Sequence, residues 1–151
     1  MSKAVSVNRS KVFEAIVQKL SGEKAILFAE SGKKLFPTIR EFLTFCALLG
    51  FQSKTRLKLD TSSGTEDIQG VIYEDTEALE FIWLIGLAET QNIELIQDGN
   101  ERKCAEIFEE YANGGLQILH NTLTSTSEEH WPGLVHNLTN KTYADRSLSI
   151  P

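Results

Sequence analysis

Four pairs of adjacent carboxylates are the residues of this 151-residue chain best suited to chemistry: Glu66-Asp67, Glu74-Asp75, Glu109-Glu110 and Glu128-Glu129. Paired carboxylates can hold a divalent cation and activate water, as a metal-dependent nuclease requires. Their spacing argues otherwise. Neighbours on a helix diverge by about 100°, so their side chains do not meet on one ligand. Each pair reads as solvated surface charge, or as first-turn charge that suits a helix dipole. The histidines His120, His130 and His136 show no H-E-x-x-H or other metal-ligand spacing, and Cys46 and Cys104 form no C-x-x-C. No nucleophile elbow and no phosphate loop is present. The expectation is no catalytic residue, no metal and no cofactor.

A second set could bind rather than react. Lys33, Lys34, Arg40, Lys54, Arg56 and Lys58 are cationic, and the last three alternate along one stretch. Such a cluster can neutralise a few phosphates and give salt-dependent, sequence-independent DNA binding. It belongs to a wider asymmetry. Residues 1–60 carry 11 Lys/Arg against 5 Asp/Glu, whereas residues 61–151 carry 4 against 16. The chain as a whole is acidic, at −6, and no aromatic platform is interleaved with the cations. An acidic surface facing a basic partner, or plain solvation of uneven charge, explains the balance as well.

The elements that must position these residues are mostly helices. A content of 41% hydrophobic and 24% charged residues suits a globular domain rather than a disordered chain. Phe13, Ile16, Val17 and Leu20 make one helical face over 9–21, with Asn8 or Ser10 as cap and Gly22 as stop. "KAILFA" (24–29) is a strand or a helix approach, and "ESGKK" a turn. The clearest helix is "FPTIREFLTFCALLGF" (36–51), with Pro37 in its first turn and Gly50 ending it. "TRLKLD" alternates with period two and predicts a strand. A small two-stranded hairpin near residues 54–73 fits this stretch together with "IQGVIYED". "EALEFIWLIGLAET" (77–90) is apolar nearly all round and reads as the central helix, its Gly86 letting a neighbour come close. "NIELIQDGN" reads as a short helical turn and loop. A last amphipathic turn runs through Trp131, Leu134, Val135 and Leu138, and the tail is loosely ordered from about residue 141.

"EEYANGGLQIL" (109–119) raises the sharpest question. Cys104, Phe108, Tyr111, Ala112, Gly115, Leu116, Leu119 and Leu123 keep helical phase across two glycines. The glycines together cost about 2 kcal/mol in helix propensity. One reading is an unbroken helix over about 101–124 with Gly115 at a close crossing. The other makes Asn113 or Gly114 a left-handed cap between two helices.

The longest apolar run, "ALEFIWLIGLA" (78–88), is shorter than the roughly 18 residues that span a membrane. "MSKAVSVNRSK" lacks the apolar stretch of a secretion signal. The expectation is a cytoplasmic protein of mainly α class: a single compact bundle of about five helices over 1–151, with both cysteines in a reduced core.

"LFPTIREFLTFCALLGF" (35–51), "LEFIWLIGLAE" (79–89) and "EIFEEYANGGLQIL" (106–119) together resemble the fourth class of Dnd system-associated proteins. The likeness rests on Phe36, Pro37, Phe42, Ala47, Leu49 and Gly50, then on Leu84, Leu87, Ala88 and Glu89. It is most specific in Ile107, Phe108, Glu109, Glu110, Tyr111, Ala112, Asn113, Gly114, Gly115 and Leu116. These are small bacterial proteins, frequent in cyanobacteria, encoded beside DNA phosphorothioation genes. The resemblance implies a role in DNA sulfur modification and its linked restriction, and supplies no catalytic residue.

Three functions are expected on these grounds. The first is a non-enzymatic accessory or adaptor that docks on a protein component of the modification or restriction machinery, using Glu110, Tyr111, Asn113, Gly114 and Gly115. The second is a small DNA-binding module using the cationic set. The third is a metal-dependent nuclease.

Overall fold

A computed structural model describes residues 6–23, 25, 34–62, 64–68, 77–96 and 99–144. Among the described residues five α-helices carry the fold: α1 (Glu14–Leu20), α2 (Ile39–Gln52), α3 (Glu77–Thr90), α4 (Glu101–Leu123) and α5 (Trp131–Ala144). Two strands, β1 (Val7–Ser10) and β2 (Thr65–Ile68), pair antiparallel with Val7 opposite Ile68 and Ser10 opposite Thr65. Short 3-10 turns cover Lys11–Phe13, Ile93–Ile96 and Glu128–His130. The protein is mainly α.

Local sequence explains most boundaries. Thr38 caps α2, its Oγ1 accepting the Glu41 N–H at 3.1 Å, so the helix begins just after Pro37 rather than at Phe36. Ser10 caps the turn before α1 in the same way, accepting from the Val12 N–H at 3.3 Å. The helix expected over 9–21 is therefore shorter. Its first residues leave helical phase to form β1, because the Asn8 N–H finds a partner on α4 and Val7 enters the core with no exposure.

The two-stranded sheet thus joins distant segments rather than closing a hairpin. β2 lies within the expected range, but its partner is β1. "TRLKLD" stays out of the sheet because its main chain is engaged by α4: the Leu57 N–H donates to the Glu110 carbonyl at 3.1 Å. Of the other sequence expectations, 26–33 and 69–76 lie outside the described residues, as does the tail after Ala144.

α4 runs unbroken through Gly114 and Gly115. A Cβ on Gly115 would lie 2.0 Å from the Cys46 carbonyl oxygen on α2. A Cβ on Gly50 would lie 2.1 Å from the Tyr111 carbonyl oxygen on α4. Each helix thus presents a bare backbone to the other, and side chains could not fit between them. Gly50 does not end α2, which continues to Gln52; the glycine serves the crossing instead. Around it Phe42, Leu43, Phe45, Cys46, Phe108, Leu116 and Leu119 are fully buried. α3 closes on the same core through Ile82 and Ile85, with Gly86 packed 3.1 Å from the Cys104 sulfur, measured from the Cβ it lacks. Trp131 fastens the start of α5, its indole N–H donating to the Leu123 carbonyl at 2.9 Å.

A methyl group at Gly115 cannot be absorbed by a flexible side chain, because backbone stands in its way. Gly115→Ala is expected to cost at least about 3 kcal/mol, the upper end of ordinary overpacking. Gly133 in α5 has open space beyond it, so Gly133→Ala should be neutral or stabilise by up to about 1 kcal/mol. Urea denaturation of the two variants measures both; equal stabilities would contradict the crossing.

Candidate functional site

Every residue from Ile107 to Leu116 is buried, including charged ones. Glu109 is 5% exposed, Glu110 9% and Asn113 6%. A buried charge is costly unless it is paired and hydrogen-bonded. Both carboxylates meet that condition, on different faces of α4. Glu109 accepts from the Asn8 main-chain N–H at 2.6 Å and from the Arg102 guanidinium at 2.5 Å. Glu110 accepts from Arg56 Nε at 2.7 Å. The expectation that this pair is solvated surface charge is corrected: each glutamate ties an approaching segment to α4.

The segment held by Glu110 is the strap of residues 53–60, which leaves α2 and passes over α4. Lys54, at φ +54°, turns the chain out of the helix. The Thr55 N–H returns to the Gly50 carbonyl at 2.8 Å. The Thr55 carbonyl rests on Gly114, where a Cβ would come within 1.9 Å of it. Asn113 Nδ2 donates to the Lys58 carbonyl at 3.0 Å and, more weakly, to the Leu57 carbonyl at 3.4 Å. Farther on, the Asp60 carbonyl accepts from Ser10 Oγ at 2.7 Å. Thr55 lies on Gly114 and Leu57 on Glu110. Four helical residues span about 6 Å, which two strap residues cover only when nearly extended.

Arg56 is the polar centre. Its Nη1 donates to Glu89 on α3 at 3.0 Å, and its guanidinium lies 5.9 Å from the centre of the Tyr111 ring. The Tyr111 hydroxyl donates to the same Glu89 oxygen at 2.5 Å. Burial, reinforced by the Glu89 carboxylate, pushes the Tyr111 hydroxyl up to about 12, so it stays protonated. Burial likewise raises the Glu109 carboxyl, against the opposing pull of Arg102 and the Asn8 N–H. Burial lifts the Cys104 thiol to about 11 and the Cys46 thiol well above its usual value, so neither is a ready thiolate.

The five expected docking residues come together here. Glu110 and Asn113 hold the strap with their side chains, and Tyr111 bonds the Glu89 that also takes Arg56; Gly114 and Gly115 admit the strap and α2 by lacking side chains. What faces solvent above them is the strap itself, with residues 56–58 exposed. The cationic set does not converge in the same way. Lys33 lies outside the described residues. Arg40 is in the first turn of α2 and Lys54 just past its end, about 20 Å apart along the axis. Lys54, Arg56 and Lys58 share the strap, but Arg56 is committed to Glu110 and Glu89.

The remaining titratable candidates are scattered. His120 packs edge-on to Phe13, His130 sits by Glu129 and His136 by Asn140. Among the described residues no group of three or more His, Cys, Asp or Glu side chains could hold a metal ion. Sequence reasoning missed Glu89 and the Arg56–Glu110 pair. The signal was there: an arginine amid alternating residues, and a glutamate near the end of a helix whose sequence is apolar nearly all round. That helix is not the most buried element, since Glu80 is exposed and Leu79, Phe81, Leu84 and Leu87 are only half-buried.

Glu109 supplies a test of this burial. Its native carboxyl keeps a proton at pH values where the unfolded chain has lost it, so its contribution to stability falls as pH rises through and above the ordinary value of 4.5. Glu109→Gln keeps an acceptor for the Asn8 N–H and removes that titration. The variant should lose less stability than wild type between pH 5 and pH 8 in urea denaturation. Glu109→Ala strands the N–H and should cost about 1–3 kcal/mol at either pH. Identical pH dependence in wild type and Glu109→Gln would contradict the assignment.

One comparison with known proteins bears on identity. Residues 7–148 match the family described as DNA sulphur modification system-associated protein 4. Neither the curated proteins nor the solved structures contain a match to the chain. The matched range runs from the first residue of β1 to beyond the end of α5, and takes in the crossing, the strap and the buried glutamates. The chain belongs to the family of DNA sulphur modification system-associated protein 4.

Proposed function

We propose that this protein is a non-enzymatic accessory of the DNA phosphorothioate modification or restriction machinery. It docks on a protein component of that machinery through the face above Glu110–Gly115. The observation that carries the reading is membership of a family named for association with the DNA sulfur modification system. The fate of the reactive groups supports it. Glu109, Glu110 and Tyr111, the side chains here best suited to take part in a reaction, are each spent on an internal partner. They serve to fix a surface.

Direct DNA binding is the weaker reading. Of the three strap cations, Arg56 is neutralised by two glutamates. The net charge of −6 opposes approach to a polyanion. A few phosphate contacts give binding that disappears at physiological salt.

Co-expression of the tagged chain with the DNA sulfur modification and restriction genes tests the proposal. A component of that system should co-purify in the presence of nuclease. Asn113→Ala removes the amide that grips the strap carbonyls and costs about 1 kcal/mol of stability; it should weaken the association while the chain remains folded. Duplex binding at two salt concentrations gives the opposing measurement. A steep loss of DNA affinity with salt, together with no co-purifying protein, would overturn the docking reading in favour of the DNA-binding one.

A further inference from the structure

The strap holds strand-like main chain that no strand of the described residues pairs. Its inward groups are satisfied. The Thr55 and Leu57 N–H groups donate to Gly50 and Glu110, and the Leu57 and Lys58 carbonyls accept from Asn113. Across a trans peptide the C=O of one residue and the N–H of the next point to opposite sides. The groups between these are therefore aimed outward: the Arg56 N–H and C=O, and the Lys58 N–H. Among the described residues none of the three has a hydrogen-bond partner, and residues 56–58 are exposed. An exposed row of unpaired main-chain donors and acceptors is the template for strand addition.

The side chains say what strand would fit. Leu57 is 37% exposed, among the few large apolar residues left at the surface. Lys54 and Lys58 flank it, exposed and without an acidic partner among the described residues. An incoming segment that alternates apolar and acidic residues would cover Leu57 and pair both lysines. Nucleic acid fits less well. Phosphates offer acceptors only, so the Arg56 carbonyl would go unmet, and two lysines neutralise only two phosphates. Resting on the docking reading above, we propose that the outward edge of residues 55–58 adds a β-strand from an acidic, extended segment of a partner protein.

The Lys58 N–H separates this edge from the fold, because no described residue uses it. Lys58→Pro deletes that donor, suits extended chain and should leave the melting temperature unchanged. The probe is a capped peptide of alternating Val and Glu, titrated into the full chain and followed by amide NMR. Binding should shift the Arg56 and Lys58 amides and slow their hydrogen exchange. The affinity should fall about fivefold to tenfold in Lys58→Pro, the worth of one main-chain hydrogen bond. Lys54→Glu/Lys58→Glu carries the test if the proline variant does not fold, and should abolish binding. A Val/Lys peptide should bind far more weakly. No binding of the acidic peptide, equal binding of the Val/Lys peptide, or tighter binding of a short DNA duplex at the same amides would each overturn the proposal. Co-purification separates the two ideas. If Lys58→Pro recovers the partner as well as wild type, the strand edge is wrong and docking stands. If wild type recovers none, docking itself fails.

Discussion

The fold depends on one close contact, the crossing of α2 and α4 at Gly50 and Gly115. Each glycine lies where a Cβ would fall about 2 Å from a carbonyl oxygen of the other helix. Two glycines inside helices cost about 2 kcal/mol in propensity. Close backbone approach offsets this by letting Phe42, Phe45, Phe108 and Leu119 fill the space around the crossing at full burial. The contact also dictates the path of the chain after α2. With the helix pinned so near α4, the residues that leave Gln52 have nowhere to go but across α4, and Gly114 gives them room.

That route explains the buried charge. A strap laid over a helix brings main-chain polar groups onto a surface that cannot satisfy them, because the helix uses its own N–H and C=O groups internally. α4 answers with side chains and one spare carbonyl: Asn113, and Glu110 twice over, through its carboxylate and its main chain. On the other flank Glu109 does the same for β1. Arg56 and Arg102 then neutralise the two carboxylates.

Much of this was legible in the sequence. The unbroken stripe from Cys104 to Leu123 favoured one helix through the glycines over a cap at Asn113 or Gly114, and the helix continues through them. The mainly α class and the short helical turn after Thr90 were readable from periodicity and turn residues. Tertiary choices were not. "TRLKLD" has strand alternation, but α4 takes its main chain before a strand can. "VNRS" looks like a helix start, but an N–H to Glu109 and the pairing with β2 draw it into a strand. Glu109 and Glu110 look like surface charge because nothing local reveals that two segments cross the same helix. In each case the deciding partner lies 50 or more residues away in the chain, beyond the reach of local pattern.

Residue-resolved hydrogen exchange tests most directly whether the α2–α4 crossing fixes the strap. The Thr55 and Leu57 amides should exchange as slowly as those at the middle of α4, since they are released only when the crossing opens. The Arg56 and Lys58 amides between them should exchange fast in the free protein. Rapid exchange at Leu57 alongside a protected α4 would contradict the account, because the strap would then be a loose loop and the glutamates beneath it would hold nothing.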